Sequence, residues 1–374
     1  MSRRALVTGG AGLIGSHLVD LLVAEGWGVR VLDNLEPQTH GRGRPPWINP
    51  EAEFRCGDVR SEADMAQALD GVEVVFHLAA YGGYMPEIAH YVEVNSLGTA
   101  RLLELMRAHR GTVRKLVIAS SQAVYREGAV RCPEHGLQFP PLRDSADLAA
   151  GRFEVPCPVC GGGAEPAPTP EAAPISGGTV YALTKVDQER LALIVGAQMG
   201  LPVVALRYAC TYGPRQSLYN PYTGVISIFC TRLLNGLAPV VYEDGRQTRD
   251  LCYVEDIARA NLWAAETDRL DGRAVNVGSG RATSIADLAE VLADALGVRI
   301  PAEVSGQFRP GEMRALTPDL SLARSAGFEP RVSLEEGIAR HLDWLRREGP
   351  IEERFGSAHR LLTEHRIVQP VLRP

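Results

Sequence analysis

Residues 8–15 read TGGAGLIG and place Gly9, Gly12 and Gly15 between an apolar run, RALVT at residues 4–8, and an amphipathic helical pattern. In this context the glycines permit a tight turn, let the backbone approach a pyrophosphate and let the helix pack close to the strand. Asp33 ends the next apolar run 18 residues after Gly15, where a carboxylate can accept from both hydroxyls of an adenosine ribose. No arginine that could bind the additional phosphate of NADP closely follows Asp33, so the pattern predicts a site for NAD rather than NADP.

The alternation of strands and helices continues through the amino-terminal half. Apolar runs occur in GVRVLDN, AEFRCGD, VEVVFHLAA, VRKLVIASS and PVVALRYA, with helical patterns over about 61–70, 92–110 and 180–199. Strands that alternate with helices of this length indicate βαβ units, so we predict an α/β fold with a doubly wound parallel sheet of the Rossmann type.

The domain organisation follows from where this alternation stops. We assign residues 1–205 to the Rossmann-type domain and residues 206–349 to a smaller α/β substrate lobe that can interleave with it. Residues 126–178, rich in Pro, Gly and Ala, form an insertion that holds three cysteines, and residues 350–374 form a tail.

Composition narrows the class of protein. The chain has 374 residues and a formal charge of −6, and its basic residues are scattered, so we expect neither a nucleic-acid nor an anionic-membrane partner. No window has the about 18–20 consecutive apolar residues that a membrane span needs, and the amino terminus lacks the pattern of a secretion signal. We therefore expect a cytoplasmic protein.

The stretch YALTK places Tyr181 and Lys185 on one face at the start of a helix. A nearby ammonium favours the phenolate, which makes a tyrosine a usable base near neutral pH. Of the 39 basic residues only Lys115 and Lys185 are lysines, which draws attention to this position. Ser121 ends a predicted strand at the edge of the sheet where ligands bind, and there it can hydrogen-bond a reacting hydroxyl together with the tyrosine. We predict that Ser121, Tyr181 and Lys185 are catalytic.

Further motifs occur in a characteristic order: TGGAGLIGSH, LDNL, GDVR, FHLAA, EVNSLGT, SSQAVY, YALTK, LRYACTYGPRQ, GRQTRDLCYVEDIA and NVGSG. This series resembles the extended short-chain dehydrogenase/reductase family, namely its NAD-dependent nucleotide-sugar epimerases and dehydratases. The resemblance implies that Tyr181 removes a proton from a sugar hydroxyl while hydride passes to NAD, and that Ser121 holds the hydroxyl. It also implies that Lys185 orients the cofactor and lowers the pKa of Tyr181, and that a keto sugar turns in the pocket and regains the hydride on its other face.

The resemblance also implies the binding residues. The cofactor set is Gly9, Gly12, Leu13, Ile14, Gly15, Asp33, Asn34, Leu35, Asp58, Val59, Leu78, Ala79, Ala80, Asn95, Ala119, Tyr181, Lys185 and Tyr208. The substrate set is Ser121, Gln122, Tyr181, Cys210, Asn220, Thr223, Arg249 and Arg309, in which the two arginines clamp the diphosphate. Cys210 departs from the family, which usually has Asn at this position. A homodimer that pairs helices near 95–108 and 180–198 is implied as well.

The two residues that directly follow Ser121 indicate which branch of the family the chain resembles. The dehydratases carry acidic residues there to handle the proton at carbon 5 and the hydroxyl at carbon 6, whereas this chain has Gln122 and Ala123. The xylose-forming decarboxylases have a glutamate in place of Ala123. We therefore expect a 4-epimerase that acts through a 4-keto sugar on a deoxythymidine- or uridine-diphosphate hexose or 6-deoxyhexose. The alternatives are a C2 or C5 epimerase or net oxidoreductase of the same family, and a catalytically idle NAD-binding regulator.

The insertion carries its own pattern. RCPEHG and PCPVCG each contain two metal-ligand residues three apart followed by glycine, which gives Cys132, His135, Cys157 and Cys160. Two such turns favour a structural zinc site with three sulfurs and one imidazole. A disulfide and unliganded cysteines are the alternatives, and a catalytic zinc is disfavoured because four protein ligands leave no open position. The other four cysteines, Cys56, Cys210, Cys230 and Cys252, are expected to be reduced. We expect the insertion to form a zinc-stapled rim of the sugar pocket.

Overall fold

Seven parallel strands form the central sheet of the protein. The computed structural model describes residues 3–41, 43–108, 112–218, 220, 222 and 224–372. From edge to edge, the strands of the sheet are Arg273–Val277, Val203–Tyr208, Lys115–Ser121, Val74–His77, Arg4–Thr8, Gly28–Asp33 and Glu53–Cys56. The order of the strands reverses beside Arg4–Thr8, and ligands of such sheets bind at this point. The predicted Rossmann-type fold is confirmed.

The helices cover both faces of the sheet. They are Leu13–Ala24, Pro37–His40, Glu62–Leu69, Ile88–Tyr91, Gly98–Ala108, Ser145–Ala149, Val180–Met199, Val225–Leu234, Val254–Glu266, Ile285–Leu296, Ser321–Ser325, Leu334–Arg347 and Phe355–Glu364. A π-helical turn, Val92–Leu97, precedes Gly98–Ala108, and a 3₁₀ turn, Gln122–Val124, follows Ser121. Each face of the sheet buries its own apolar cluster. No helix of the described residues is long and apolar enough to cross a lipid bilayer.

The smaller lobe interleaves with the central sheet. The predicted boundary at residue 205 lies inside strand Val203–Tyr208, and strand Arg273–Val277 returns to the same sheet as its last strand. Helix Val254–Glu266 packs on helix Leu13–Ala24 through small and branched side chains such as Ile257. The domains are therefore not consecutive segments of the chain.

Short strands organise the rest of the chain. Cys210–Tyr212, Thr248–Tyr253, Ala282–Ser284 and Ala315–Leu316 form a second sheet, and Val240–Val241 pairs with Glu303–Val304. Within the insertion Val130–Cys132 pairs with Gly136–Gln138 and with Glu165–Pro166. The tail folds as well: helix Phe355–Glu364 packs against Tyr242, whose hydroxyl lies 2.8 Å from Nδ1 of His359.

Candidate active site

The glycine turn forms one wall of a cleft at the carboxyl edge of the sheet. Helix Leu13–Ala24 begins at Gly12, directly after the first strand. A Cβ atom added at Gly15 would overlap the carbonyl oxygen of Gly9, so the helix reaches this position only because the residue is glycine. Gly9, Gly12, Leu13, Ile14 and Gly15 line a cavity of about 290 Å³.

Asp33 is fixed by the backbone at the far side of this cavity. Its Oδ2 accepts from the amide of Ala11 at 2.9 Å and its Oδ1 from the amide of Leu35 at 2.8 Å. Each carboxylate oxygen keeps a further lone pair for a donor such as a ribose hydroxyl. Nε2 of His40 lies 3.7 Å from Oδ1, and burial lowers the pKa of His40, which keeps the imidazole neutral beside the carboxylate. These contacts fit the adenosine end of NAD.

The other predicted cofactor residues divide into two groups. Asn34, Val59, Leu78, Ala79 and Ala80 line the cavity. Leu35, Asp58, Asn95 and Ala119 do not line it.

The polar atoms of this second group are used inside the protein. Asp58 pairs with Arg60, and hydrogen bonds from Arg60 and Asn34 outweigh burial and lower the pKa of Asp58 to about 2. The amide group of Asn95 contacts Tyr81 and Thr184. The assignment of Asp58 and Asn95 to the cofactor site stays a prediction.

A second cavity of about 450 Å³ adjoins the first, and Ile14, Gly82 and Gln216 line both. Ser121 and Tyr181 lie in this second cavity. Helix Val180–Met199 begins beside Thr179, whose hydroxyl accepts from the amide of Ala182 at 3.2 Å, and this cap sets the direction of Tyr181. Tyr181 lies next to Gly82, which lines both cavities: a Cβ atom added at Gly82 would lie 3.8 Å from Cε2 of the tyrosine.

Lys185 is buried and Tyr181 is partly buried, and desolvation is the largest influence on the pKa of each side chain. It raises the pKa of Tyr181 to about 12, against a hydrogen bond with Ser121 that acts in the opposite direction. It lowers the pKa of Lys185 to about 7. Nζ of Lys185 donates to the carbonyl oxygen of Ala119 at 2.9 Å and lies 5.9 Å from the centre of the Tyr181 ring. The lowered pKa of Tyr181 that the resemblance implies stays a prediction, since burial raises the pKa of this side chain in the chain by itself.

Two arginines line the second cavity: Arg249 is buried and Arg309 is partly buried. Arg249 and Arg309 both pair with Glu312, at 3.2 Å and 3.7 Å. The Arg309 guanidinium lies 4.1 Å from the ring centre of Tyr84 and 4.6 Å from that of Tyr242. Its buried Nε has no hydrogen-bond partner among the described residues. A cation that is held by aromatic rings and keeps a free donor fits an anion such as a diphosphate.

The remaining predicted substrate residues lie in different places. Gln122 and Cys210 line the second cavity, where Nε2 of Gln122 donates to Sγ of Cys210 at 3.2 Å. Burial raises the pKa of Cys210 to about 11, so it is a neutral thiol. Tyr208, which is predicted at the cofactor, also lines this second cavity, and its hydroxyl donates to Asn261. Asn220 lines the cofactor cavity instead, and Thr223 lies outside the described residues.

Sequence reasoning missed several residues of this site. Glu312 follows Arg309 by three residues in the stretch RPGE. An acidic residue this close to an arginine that is predicted to bind the diphosphate could have been recognised as part of the site. Tyr84, Tyr242 and Phe355 also line the second cavity, and they lie in stretches with no distinctive pattern. Phe355 comes from the tail, which therefore contributes to the site.

The sequence model of the NAD dependent epimerase/dehydratase family matches residues 5–144 and 157–278. The chain belongs to this family. The unmatched stretch between the two ranges lies within the insertion.

Individual relatives agree with this assignment. A dTDP-L-rhamnose 4-epimerase of Burkholderia thailandensis is 34% identical over 359 residues, which cover 92% of this chain and 96% of that protein. The UDP-glucose 4-epimerase of Thermotoga maritima, solved with UDP-glucose, is 30% identical with a TM-score of 0.74, over 92% of this chain and 99% of that one. The UDP-glucose 4-epimerase of Thermus thermophilus, solved with NAD, is 30% identical with a TM-score of 0.72 over the same shares.

Proposed function

We propose that the protein is an NAD-dependent nucleotide-sugar 4-epimerase that acts on a deoxythymidine- or uridine-diphosphate hexose or 6-deoxyhexose. The observation that carries the proposal is the position of Tyr181, which is hydrogen-bonded to Ser121 in the cavity of the arginine pair and lies beside Gly82, a residue that also lines the cofactor cavity. Gln122 and Ala123 provide no second acid or base beside it. The similarity to nucleotide-sugar 4-epimerases supports the same reaction.

In this reaction the residues of the site have different roles. Arg249 and Arg309 bind the diphosphate, and this holds the sugar against Tyr181 and Ser121. Tyr181 takes the proton of the 4-hydroxyl and later returns it, and Ser121 orients that hydroxyl. Bound NAD supplies the hydride acceptor and donor at carbon 4. Lys185 is buried beside the ring of Tyr181 and is available to donate to the cofactor ribose.

The experiment is incubation of the NAD-bound protein with UDP- and dTDP-hexoses labelled with deuterium at carbon 4. We expect the 4-epimer, with the label retained at carbon 4 and no solvent hydrogen incorporated, because the same hydride returns. Solvent hydrogen at carbon 2 or 5 would instead indicate the other epimerases. Absence of turnover with every sugar would contradict the proposal and favour an idle NAD-binding protein.

We also propose that the insertion binds one structural zinc ion. The ligand atoms of Cys132, His135, Cys157 and Cys160 all lie within 4.8 Å of one another. Sγ of Cys132 is 3.5 Å from Nδ1 of His135 and 3.9 Å from Sγ of Cys160. Tetrahedral zinc with bonds of about 2.3 Å to sulfur separates its ligands by about 3.8 Å. All three cysteines are free, and the spacing fits a metal better than a disulfide.

The turns that present these ligands support a closed site. Gly136 and Gly161 follow the second ligand of each turn with φ of 66° and 69°, a conformation that favours glycine. The amide of Gly161 donates to the carbonyl oxygen of Cys157 at 2.9 Å, which closes the second turn. Four protein ligands leave no position for substrate, so the metal would stabilise the insertion and take no part in the chemistry.

Metal analysis tests this proposal. We expect about one zinc ion per chain in protein expressed with zinc, and loss of that ion in Cys160→Ser, because three protein ligands hold a structural zinc less tightly. Cys56→Ser is the matched control, since Cys56 is an exposed cysteine outside the cluster, and it should keep the zinc. Protein without zinc, or Cys160→Ser that retains the full content, would contradict the proposal.

Finally, we propose a homodimer through the helices Gly98–Ala108 and Val180–Met199. Leu183 and Ile194 are 53% and 56% exposed on the second helix, and Leu97, just before the first, is 41% exposed. An exposed apolar surface of this kind is typical of an interface between subunits. Light scattering of the NAD-bound protein measures the mass; a monomer at assay concentration would contradict this assignment.

A further inference from the structure

The insertion touches the segment that carries Arg309 and Glu312. The amide of Thr169, in the insertion, donates to the carbonyl oxygen of Thr317 at 2.8 Å. The amide of Asp319 donates to the carbonyl oxygen of Thr169 at 2.9 Å. A Cβ atom added at Gly128 would overlap the carbonyl oxygen of Ala315. The two chain segments are therefore in direct backbone contact close to the proposed substrate site.

Arg143 is the charged centre of this contact. Its side chain is 5% exposed, and it makes a two-point ion pair with Glu243, from Nη1 to Oε2 and from Nη2 to Oε1, both at 2.9 Å. Nε donates to Glu127 at 3.0 Å, and the remaining hydrogens reach the carbonyl oxygens of Phe153 at 3.1 Å and Glu312 at 2.8 Å. All five N–H groups of the guanidinium are thus used, which a lysine would be unable to reproduce.

Glu243 is held in an unusual conformation by these contacts. It has φ of 52°, in the left-handed region that side-chain-bearing residues rarely adopt, and it is buried. Its carboxylate also accepts from Arg314 at 3.0 Å. Such a conformation persists where the surrounding structure fixes it. Glu243 directly follows Tyr242, which packs on Arg309, so the conformation at Glu243 sets where that ring lies.

Arg143 also fixes the opposite side of the arginine pair. The carbonyl oxygen that it binds belongs to Glu312, whose carboxylate pairs with Arg249 and Arg309 and accepts from the hydroxyl of Tyr84 at 2.9 Å. One side chain of the insertion therefore holds both the loop behind Tyr242 and the backbone of Glu312. Arg143 itself does not line the cavity.

We propose that Arg143 is a positioning residue that sets the geometry of Arg249 and Arg309 for the diphosphate of the substrate. Through Arg143 the insertion determines how tightly the nucleotide end of the substrate binds, although it contributes none of the residues that we assign to the reaction. This inference rests on the proposed function, because it takes the arginine pair as the diphosphate site.

The test measures binding of UDP and of dTDP by calorimetry in the NAD-bound protein, and KM and kcat with the best sugar of the panel. For Arg143→Met we expect Kd and KM to rise by roughly 3- to 30-fold, as typical couplings through packed networks do, while kcat at saturation and NAD content stay unchanged. Arg152→Met is the matched control. Arg152 lies in the same insertion but is exposed and pairs with Asp147 at the surface, so its loss should change neither Kd nor KM.

If Arg143→Met does not fold, a second variant tests the positioning role of Arg143. Glu243→Gly removes the two-point partner of Arg143, and glycine adopts the observed φ without strain. We expect a rise in Kd in the same direction. Wild-type Kd and KM in the folded variants, or a fall in kcat alone, would overturn the positioning role and leave the proposed function intact. Wild-type protein that binds neither UDP nor dTDP would overturn both, whereas binding without turnover would overturn the epimerase alone.

Discussion

Tyr181→Phe is expected to lower the turnover of the nucleotide sugar by about 10²- to 10⁴-fold, the usual contribution of a positioned acid or base. The substitution removes only the hydroxyl, which is the group that exchanges a proton with the sugar. The ring keeps its place, because it packs at 6.5 Å from Tyr91 and lies beside Lys185. The measurement is the initial rate of epimer formation with the variant and the wild-type protein.

Two controls separate chemistry from structure in this experiment. The NAD content of the purified variant and its thermal unfolding midpoint should equal those of the wild-type protein, because neither Tyr181 nor Ser121 lines the cofactor cavity. If the variant turns over within a few-fold of the wild-type rate, Tyr181 is not the base. If NAD is lost, the hydroxyl holds the cofactor instead.

Arg309→Met should raise KM for the nucleotide sugar strongly while NAD stays bound. Loss of one partner of a buried charge pair typically costs about 2–4 kcal/mol, which corresponds to roughly 30- to 1,000-fold in affinity. The methionine fills the space between Tyr84 and Tyr242 but offers no donor to the diphosphate. Steady-state kinetics with UDP- and dTDP-sugars, together with UDP binding by calorimetry, measure the effect.

The design of this experiment includes a charge-preserving variant. Arg309→Lys keeps the positive charge but loses the planar fork, so we expect an intermediate KM. Arg324→Met is the matched control, because Arg324 is half-exposed and pairs with Glu329 at the surface. An Arg309→Met protein with unchanged KM and UDP affinity would show that the diphosphate binds elsewhere.

Much of the fold and part of the site were predictable because their signals are local. The glycine turn at residues 8–15 has a fixed spacing, and the strands around it are apolar runs of the expected length. Cys132 and Cys157 are far apart in sequence, yet the repeated turn pattern around them indicated that four ligand residues would meet, and their ligand atoms do lie together. In both cases the backbone itself demands particular residues at particular positions.

The network around Arg143 gave no such signal. In a Pro- and Gly-rich insertion an arginine is most simply a solvated surface charge, and its partners Glu243 and Glu312 are 100 and 169 positions away. Long-range ion pairs have no period in the sequence, so only the tertiary structure reveals them.

The position of strand Arg273–Val277 at the edge of the central sheet has a consequence for how the protein is made. The ribosome must synthesise residues 206–277 after the predicted end of the first domain, which takes about 4–15 s at about 5–20 residues per second. During that time strand Val203–Tyr208 has an open edge, and the face of helix Leu13–Ala24 that Ile257 later covers is bare. The nascent chain thus passes through a stage with exposed apolar surface, and this is the stage at which a chaperone would matter most.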